Sequence, residues 1–407
     1  MAKIGILTFH RSYNYGAFMQ CYALSQRLQQ DFPHDEIEVI DYATERMYQN
    51  YTTKPISFVF GPKAKRNHPV RCLKNLCKLI LDPRLLKREK RLHDAFDADF
   101  AYIPLSDERM ITDDFEKFYQ SIADKYDAII VGSDGVWEFK SYPFPNAYFL
   151  NGEWGKTKLL SYAASCDRMH YSEITDEQKE YLNNAFSKYS YLGIRDVSTE
   201  LFLQYITEDD HYFHNCDPTV LLELSSLPKN LDRIKGILKK SNIDLDKPII
   251  GVMGGDVLCR LVRNLFGNKY QIVGLYHYTK YADCFLEDLS PIEWAQVFSL
   301  FSVTVTRFFH GSLLSLKNGT PTVATDYWYM VKEDHTTKIC DLYRRLDLMD
   351  HYFYMEECHS EEALQQIRDR IEYYIENPDK EAIKSALDKE AESYHSFRDA
   401  LKSALEN

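Results

Sequence analysis

The sequence predicts an α/β protein built from two doubly wound, Rossmann-like domains facing across a cleft. Three observations carry this. Short apolar runs alternate with stretches of helical period from residue 3 to about 222, as in KIGIL, DAIIVG and KLLSYAA. The alternation lapses over a polar crossing, 223–247, and restarts at PIIGVMGGD, 248–256. Several runs end in small, polar or charged residues just before a helix, the place where ligands bind in open parallel sheets. The expected boundaries are 1–225 for the first domain, with a basic helical insertion at about 51–104, 226–375 for the second, and 376–407 for a C-terminal helix.

In chain order, a strand over 3–8 leads through a polar, aromatic loop to a helix over 16–28, with Ala17, Cys21, Leu24 and Leu28 on one face. Gly16 opens that helix, where a missing side chain lets a ligand approach the backbone. There is no G-x-G-x-x-G fingerprint, so dinucleotide binding is not indicated. A second strand covers 37–41. The insertion then gives two helices, 70–81 and 84–100, and in the first Val70, Leu73, Leu76, Cys77, Ile80 and Leu81 share a face. Eleven Lys or Arg against Asp82 and Glu89 make 61–93 locally basic. Such a segment either packs on its own domain with its charges outward or lies on an anionic membrane surface. Strands follow at 127–132, 158–163 and 191–194, with a helix over 176–189. The second half reads as strands at 248–253, 269–276, 303–306 and 322–325. Helices are expected at 256–266, at 291–300 behind the cap Ser290, from His310 to Lys317, and at 334–346, 360–376 and 380–405.

The richest stretch is 302–325, a strand, a helix and a strand with His310 where the helix begins. A helix N-terminus there offers free N–H groups and partial positive charge to an anion, and a histidine holds an anion or moves a proton near neutrality. The ordinary alternative is a structural histidine. Gly132-Ser133-Asp134 ends another strand. Asp134 is either a sugar-binding or basic carboxylate or a turn cap, and Trp137 offers a ring to a sugar face. Arg195, after the 191–194 strand, is either a bidentate fork for phosphate or carboxylate or the partner of Asp196 and its neighbours. The cleft is expected to be lined by Asn14, Ser133 and Arg195 on one side and by Gly254, Arg307 and His310 on the other.

Composition narrows the class. The 407 residues suffice for two full cores, and 45% hydrophobic with 14% aromatic content is globular. A net charge of −12 argues against general nucleic-acid binding. Nine cysteines without paired C-x-x-C spacing signal neither a disulfide framework nor a zinc site and fit a reducing compartment. No run approaches the roughly 18 apolar residues that span a bilayer, and the N-terminus reads as a first strand rather than a signal peptide. The expectation is a cytoplasmic protein, at most peripheral on the inner face of the plasma membrane.

Five linked stretches resemble the polysaccharide pyruvyl transferase family: KIGILTFHRSYNYGAFMQCYALSQRL (3–28), YDAIIVGSDGVWE (126–138), KLLSYAASC (158–166), YLGIRDVSTELF with CDPTVLL (191–222), and the stretch around His310. Order and spacing match over about 3–326. Two positions depart from the family pattern: Phe308 stands where members often carry Arg, two residues before the histidine, and Gly135 where they often carry Gln. The resemblance implies the two-domain architecture of type B glycosyltransferases. It implies phosphoenolpyruvate as donor substrate, with no cofactor and no metal, and a glycan or lipid-linked sugar as acceptor, converted to a ketal. In that reading His310 and Asp134 are the catalytic candidates. Arg195, Arg307, Asn14, Tyr15, Gly16, Ser133, Trp137, Gly311 and Ser312 are the substrate-binding candidates. The rival readings are a sugar-nucleotide-dependent glycosyltransferase and a non-catalytic polysaccharide-assembly protein tethered by the basic segment.

Overall fold

The computed structural model describes residues 1–51, 73, 76–77, 80, 84–140, 143–167, 169–207, 211–228, 231–326, 337–354 and 360–406. It divides into two compact units, one of Met1–Leu221 with Ser393–Asn407, the other of Leu222–Glu392.

The first unit holds β1 (Lys3–Leu7), β2 (Glu36–Val39), β5 (Ala128–Val131), β6 (Lys158–Ala164), β7 (Tyr189–Ile194) and β8 (Phe213–His214) in one sheet, with β3 (Tyr42–Ala43) and β4 (Met110–Ile111) in a separate pair. The main sheet runs β2-β1-β5-β6-β7-β8 and every pairing is parallel. Its helices include α1 (Tyr15–Asp31), α2 (Arg84–Asp99), α3 (Asp176–Phe186) and α4 (Val197–Thr207). The all-buried run of β5 and the nearly all-buried runs of β1 and β6 are what a strand covered on both faces requires. The core is heavily aromatic: Trp137, Tyr148, Phe149 and Phe186 lie within it.

The second unit holds β9 (Ile249–Met253), β10 (Gln271–Leu275), β11 (Cys284–Leu286), β12 (Val303–Thr306), β13 (Thr322–Asp326) and β14 (Tyr352–Tyr354), in the order β11-β10-β9-β12-β13-β14, again all parallel. Its helices include α5 (Gly255–Phe266), α6 (Pro291–Val297), α7 (Phe309–Lys317), α8 (Lys338–Arg345), α9 (Glu361–Glu376) and α10 (Lys380–Ala391). Ser290 caps α6 through a full capping box with Glu293, as its sequence position predicts.

The expected fold class is therefore present: two doubly wound parallel sheets. Each sheet has one point where successive strands leave the first strand in opposite directions. In the first unit it lies between β1 and β5, in the second between β9 and β12. The crevice at such a point is left open by helices that diverge to opposite faces.

One expectation needs correction. The single C-terminal helix is two, α10 and α11 (Tyr394–Glu406), and they belong to different units. Tyr394 and Phe397 of α11 pack on Tyr162 of β6, with ring centroids 5.7 and 4.7 Å away, while Ile383 and Leu387 of α10 are buried in the second unit. The first insertion helix, 70–81, lies largely outside the described residues, whereas the second is present as α2. Of the proposed apolar face, Leu73, Leu76, Cys77 and Ile80 are described, and all four are exposed. No helix among the described residues is long and apolar enough to cross a membrane.

Candidate functional site

At the switch point of the first sheet, most of the residues singled out from the sequence serve the fold. Asn14 is the N-cap of α1, its Oδ1 accepting from the N–H groups of Gly16 at 2.9 Å and Ala17 at 3.4 Å. Tyr15 is buried against Phe96, and Gly16 sits inside the first turn of α1. The Asn14-Tyr15-Gly16 stretch is thus a helix start held by its own cap, not an open backbone floor. Trp137 is fully buried, its ring 4.8 Å from that of Phe186, so it offers no face to a sugar. Ser133 is also fully buried; its carbonyl accepts from Thr8 Oγ1 at 2.8 Å and its Oγ from the Asp134 N–H at 2.6 Å.

Asp134 reaches solvent, with its side chain 20% exposed. It has φ +78°, and its Oδ1 accepts from the Gly135 N–H at 2.8 Å. Gly135 leaves room for Asp167, whose Cβ would lie 3.2 Å from an added methyl.

Arg195 is not the open anion fork of the first reading; the structure realises its alternative. The side chain is 1% exposed and donates to Asp217 at 3.0 Å, with Asp196 at 3.8 Å and Asp134 at 3.9 Å. Burial works against its charge, but Asp217, Asp134, Asp196 and Asp167 together outweigh burial and raise its pKa above the ordinary arginine value. A phosphate arriving here would meet carboxylates. Arg195 joins the carboxyl ends of β5, β6, β7 and β8 into one ionic hub. Asp196 and Asp217 take the remaining bonds locally, from Ser165 Oγ and from Thr199 and Thr219. Among the described residues no group of three or more His, Cys, Asp or Glu side chains is arranged to hold a metal ion.

A second hub, unread in the sequence, sits beside the β1 end. Buried Asp41 accepts from Arg11 Nε at 2.8 Å and Nη2 at 2.5 Å, pairs with His10 Nε2 at 3.0 Å, and takes Arg109 at 3.2 Å. Burial tends to raise the pKa of Asp41, but its bonds to Arg11 and His10 prevail and hold it well below the usual carboxylate range.

The second sheet's switch point is chemically more open. Gly274 pairs with Val252 and Val252 with Val305, so Tyr276, Gly254 and Arg307 are the residues two positions past a common rung of β10, β9 and β12. Two helices start here with no side-chain cap: α5 behind Gly254, and α7 behind Phe308. Their first N–H groups point toward the strand ends with partial positive charge. Arg307 and His310 are both partly exposed at this ledge. The Arg307 guanidinium lies 5.6 Å from the centre of the Phe308 ring, and the backbone N–H of Arg307 donates to the Met253 carbonyl at 3.3 Å. Gly311 and Ser312 are buried, which removes their side-chain positions from substrate contact. A methyl on Gly311 would stand 2.7 Å from Met253 Sδ and 2.8 Å from Thr306 Oγ1; the glycine lets α7 seat its first turn on the ends of β9 and β12. The arrangement suits a small anion on the α7 N-terminus, with a cation and an imidazole beside it.

The family model for polysaccharide pyruvyl transferase matches residues 14–329. None of the curated protein sequences matches the chain. Among solved structures, the chain is similar to Anabaena HepE in complex with UDP, at 9% identity over 99% of this chain and 100% of that one, with a TM-score of 0.51. It is also similar to S. aureus MnaA with UDP, at 11% identity over 95% and 91%, with a TM-score of 0.48. At these identities the HepE likeness speaks to the fold alone.

The Asp41 hub gives a test. A carboxylate with a depressed folded pKa contributes stability that is whole above its unfolded pKa of about 3.9 and is lost as the pH falls below it. Asp41→Asn is expected to cost on the order of 3 kcal/mol at pH 7, because it leaves Arg11 and His10 facing a neutral group. It is also expected to flatten the loss of stability below about pH 4. Denaturant unfolding at several pH values measures both.

Proposed function

The chain belongs to the polysaccharide pyruvyl transferase family, and from that premise we propose that it moves a pyruvyl group from phosphoenolpyruvate to two hydroxyls of one sugar in a cell-surface polysaccharide or its lipid-linked precursor. The observation that carries this reading is the ledge of the second sheet. There Arg307 and His310 stand at the uncapped start of α7, on the switch point between β9 and β12.

The donor carries a phosphate and a carboxylate, and its reacting carbon lies between them. The α7 N–H groups and Arg307 are suited to the anionic groups. His310 is suited to give a proton to the donor methylene, which becomes the methyl group, or to hold the phosphate. As the methylene is protonated, one sugar hydroxyl adds to the central carbon. The bond from that carbon to the phosphate oxygen then breaks, and the second hydroxyl takes its place. Of the two hydroxyl protons, one balances the proton given to the methylene and the other leaves with inorganic phosphate.

The expected outcome for His310→Ala is a folded protein, with an unchanged unfolding transition, that releases phosphate at least 10²-fold more slowly. Arg307→Ala is expected to weaken phosphoenolpyruvate binding about tenfold or more in a calorimetric titration. Titration with a UDP-sugar in parallel distinguishes the glycosyltransferase reading. Near-normal turnover in His310→Ala contradicts the assignment.

A lipid-linked acceptor would also give the basic insertion a purpose. Leu73, Leu76 and Ile80 are exposed, spaced three and four residues apart within a segment rich in Lys and Arg. Co-sedimentation with vesicles containing phosphatidylglycerol, but not with purely zwitterionic ones, is the expected result. Leu73→Asp with Ile80→Asp should abolish it.

A further inference from the structure

We infer that Tyr276 and Tyr278 form the shelf on which a pyranose ring of the acceptor stacks, beside the donor ledge; this rests on the pyruvyl-transfer reading. With Trp137 buried, the first sheet's switch point lacks the ring assigned to it from the sequence. The second presents two. Tyr276 is 36% exposed and Tyr278 61% exposed, in the loop that leaves β10.

Position argues for a site. Tyr276 follows β10 as Gly254 follows β9 and Arg307 follows β12. The middle position is bare: a methyl on Gly254 would meet Leu258 at 2.4 Å, so no side chain fits. Gly255, at φ +61°, continues the bare floor, and a methyl on it would stand 3.2 Å from His277 Cβ. Tyr276 on one side and Arg307 on the other therefore flank two residues without side chains, Gly254 and Gly255, packed close against Leu258 and His277.

Local structure argues for function as well. Tyr276 has φ +68°, a conformation that a bulky residue adopts only at a cost of about 1–3 kcal/mol. The loop is held in that shape. Thr279 is buried, with its Cγ2 3.0 Å from where a Gly274 side chain would begin. The Tyr276 ring meets Phe308 edge-on at 5.2 Å, and Phe308 is the residue that starts the His310 helix. The Tyr278 ring leans edge-on against Phe285 at 5.5 Å. Rings braced from behind with hydroxyls at their rims fit a sugar, whose C–H face covers an aromatic surface while its hydroxyls bond to the rim.

The experiment uses the full chain, methyl β-galactoside and methyl β-mannoside as probes, and phosphoenolpyruvate at saturation. Ligand-observed NMR gives the sugar Kd and calorimetry the phosphoenolpyruvate Kd. The variants are Tyr278→Ala, Tyr278→Phe and Tyr276→Gly; the last removes the ring while relieving the backbone. Expected are a wild type that binds at least one glycoside, a tenfold or larger rise in that Kd for Tyr278→Ala and Tyr276→Gly, a change under threefold for Tyr278→Phe, and a phosphoenolpyruvate Kd within twofold throughout. Three results overturn the shelf: neither glycoside bound by a wild type that binds phosphoenolpyruvate, a glycoside Kd indifferent to the rings, or an equal loss of donor affinity. A wild type that binds a glycoside through these tyrosines but never binds phosphoenolpyruvate upholds the shelf and defeats the pyruvyl-transfer reading instead.

Discussion

A parallel sheet begun at its centre and extended in both directions sends its crossover helices to opposite faces, and the carboxyl ends of the two central strands are left between them. This constraint applies twice in the chain, at β1/β5 and at β9/β12. It fixes where a loop can carry chemistry without costing the core. At β9/β12 the chain answers with small residues and bare helix starts. Gly254, Gly255 and Gly311 each occupy space that a side chain would not share, and α5 and α7 begin without side-chain caps. The helix that carries His310 is held against the strands by the absence of a methyl at Gly311.

The other switch point is treated differently. There the chain closes its polar groups on one another. Asn14 caps α1, Ser133 is enclosed, and Arg195 gathers Asp134, Asp196 and Asp217 at the ends of successive strands. A buried cation among several carboxylates costs desolvation that only its partners offset, so the hub tolerates the loss of no single member easily. It does, however, leave one carboxylate, Asp134, at the rim with a fixed orientation. The two sheets share a topology but end differently: one is locked by ion pairs, the other ends in helix starts without side-chain caps.

Fold class was legible because buried parallel strands write themselves as uninterrupted apolar runs. The strands of four to seven residues fall within two or three residues of their expected bounds. The two- and three-residue strands β3, β4, β8, β11 and β14 were not legible, since so few residues carry no period. The C-terminal stripe from Ile383 to Leu405 kept helical phase across residues 392–393, so periodicity alone could not show that the chain changes units there. His310 and Arg307 stand after a strand at a helix start, the placement their sequence positions predict. Trp137 was misjudged because sequence does not reveal which face of a short turn is covered. Arg195 was ambiguous because the same residue type serves anions and buried carboxylates alike. Asp41, Asp167 and Asp217 escaped notice because their partners come from distant strands. Tyr276 closes the strand expected over 269–276 and Tyr278 lies beyond it; the positive φ at Tyr276 that turns the chain there has no signature in a tyrosine.

A crystal structure of the chain with phosphoenolpyruvate bound would show whether the donor sits on the second sheet's ledge. Density for the phosphate or carboxylate is expected over the first turn of α7, within hydrogen-bonding reach of Arg307 and beside His310. Density in direct contact with Arg195, with Asp217 and Asp196 displaced from it, or a donor bound away from both switch points, would contradict it.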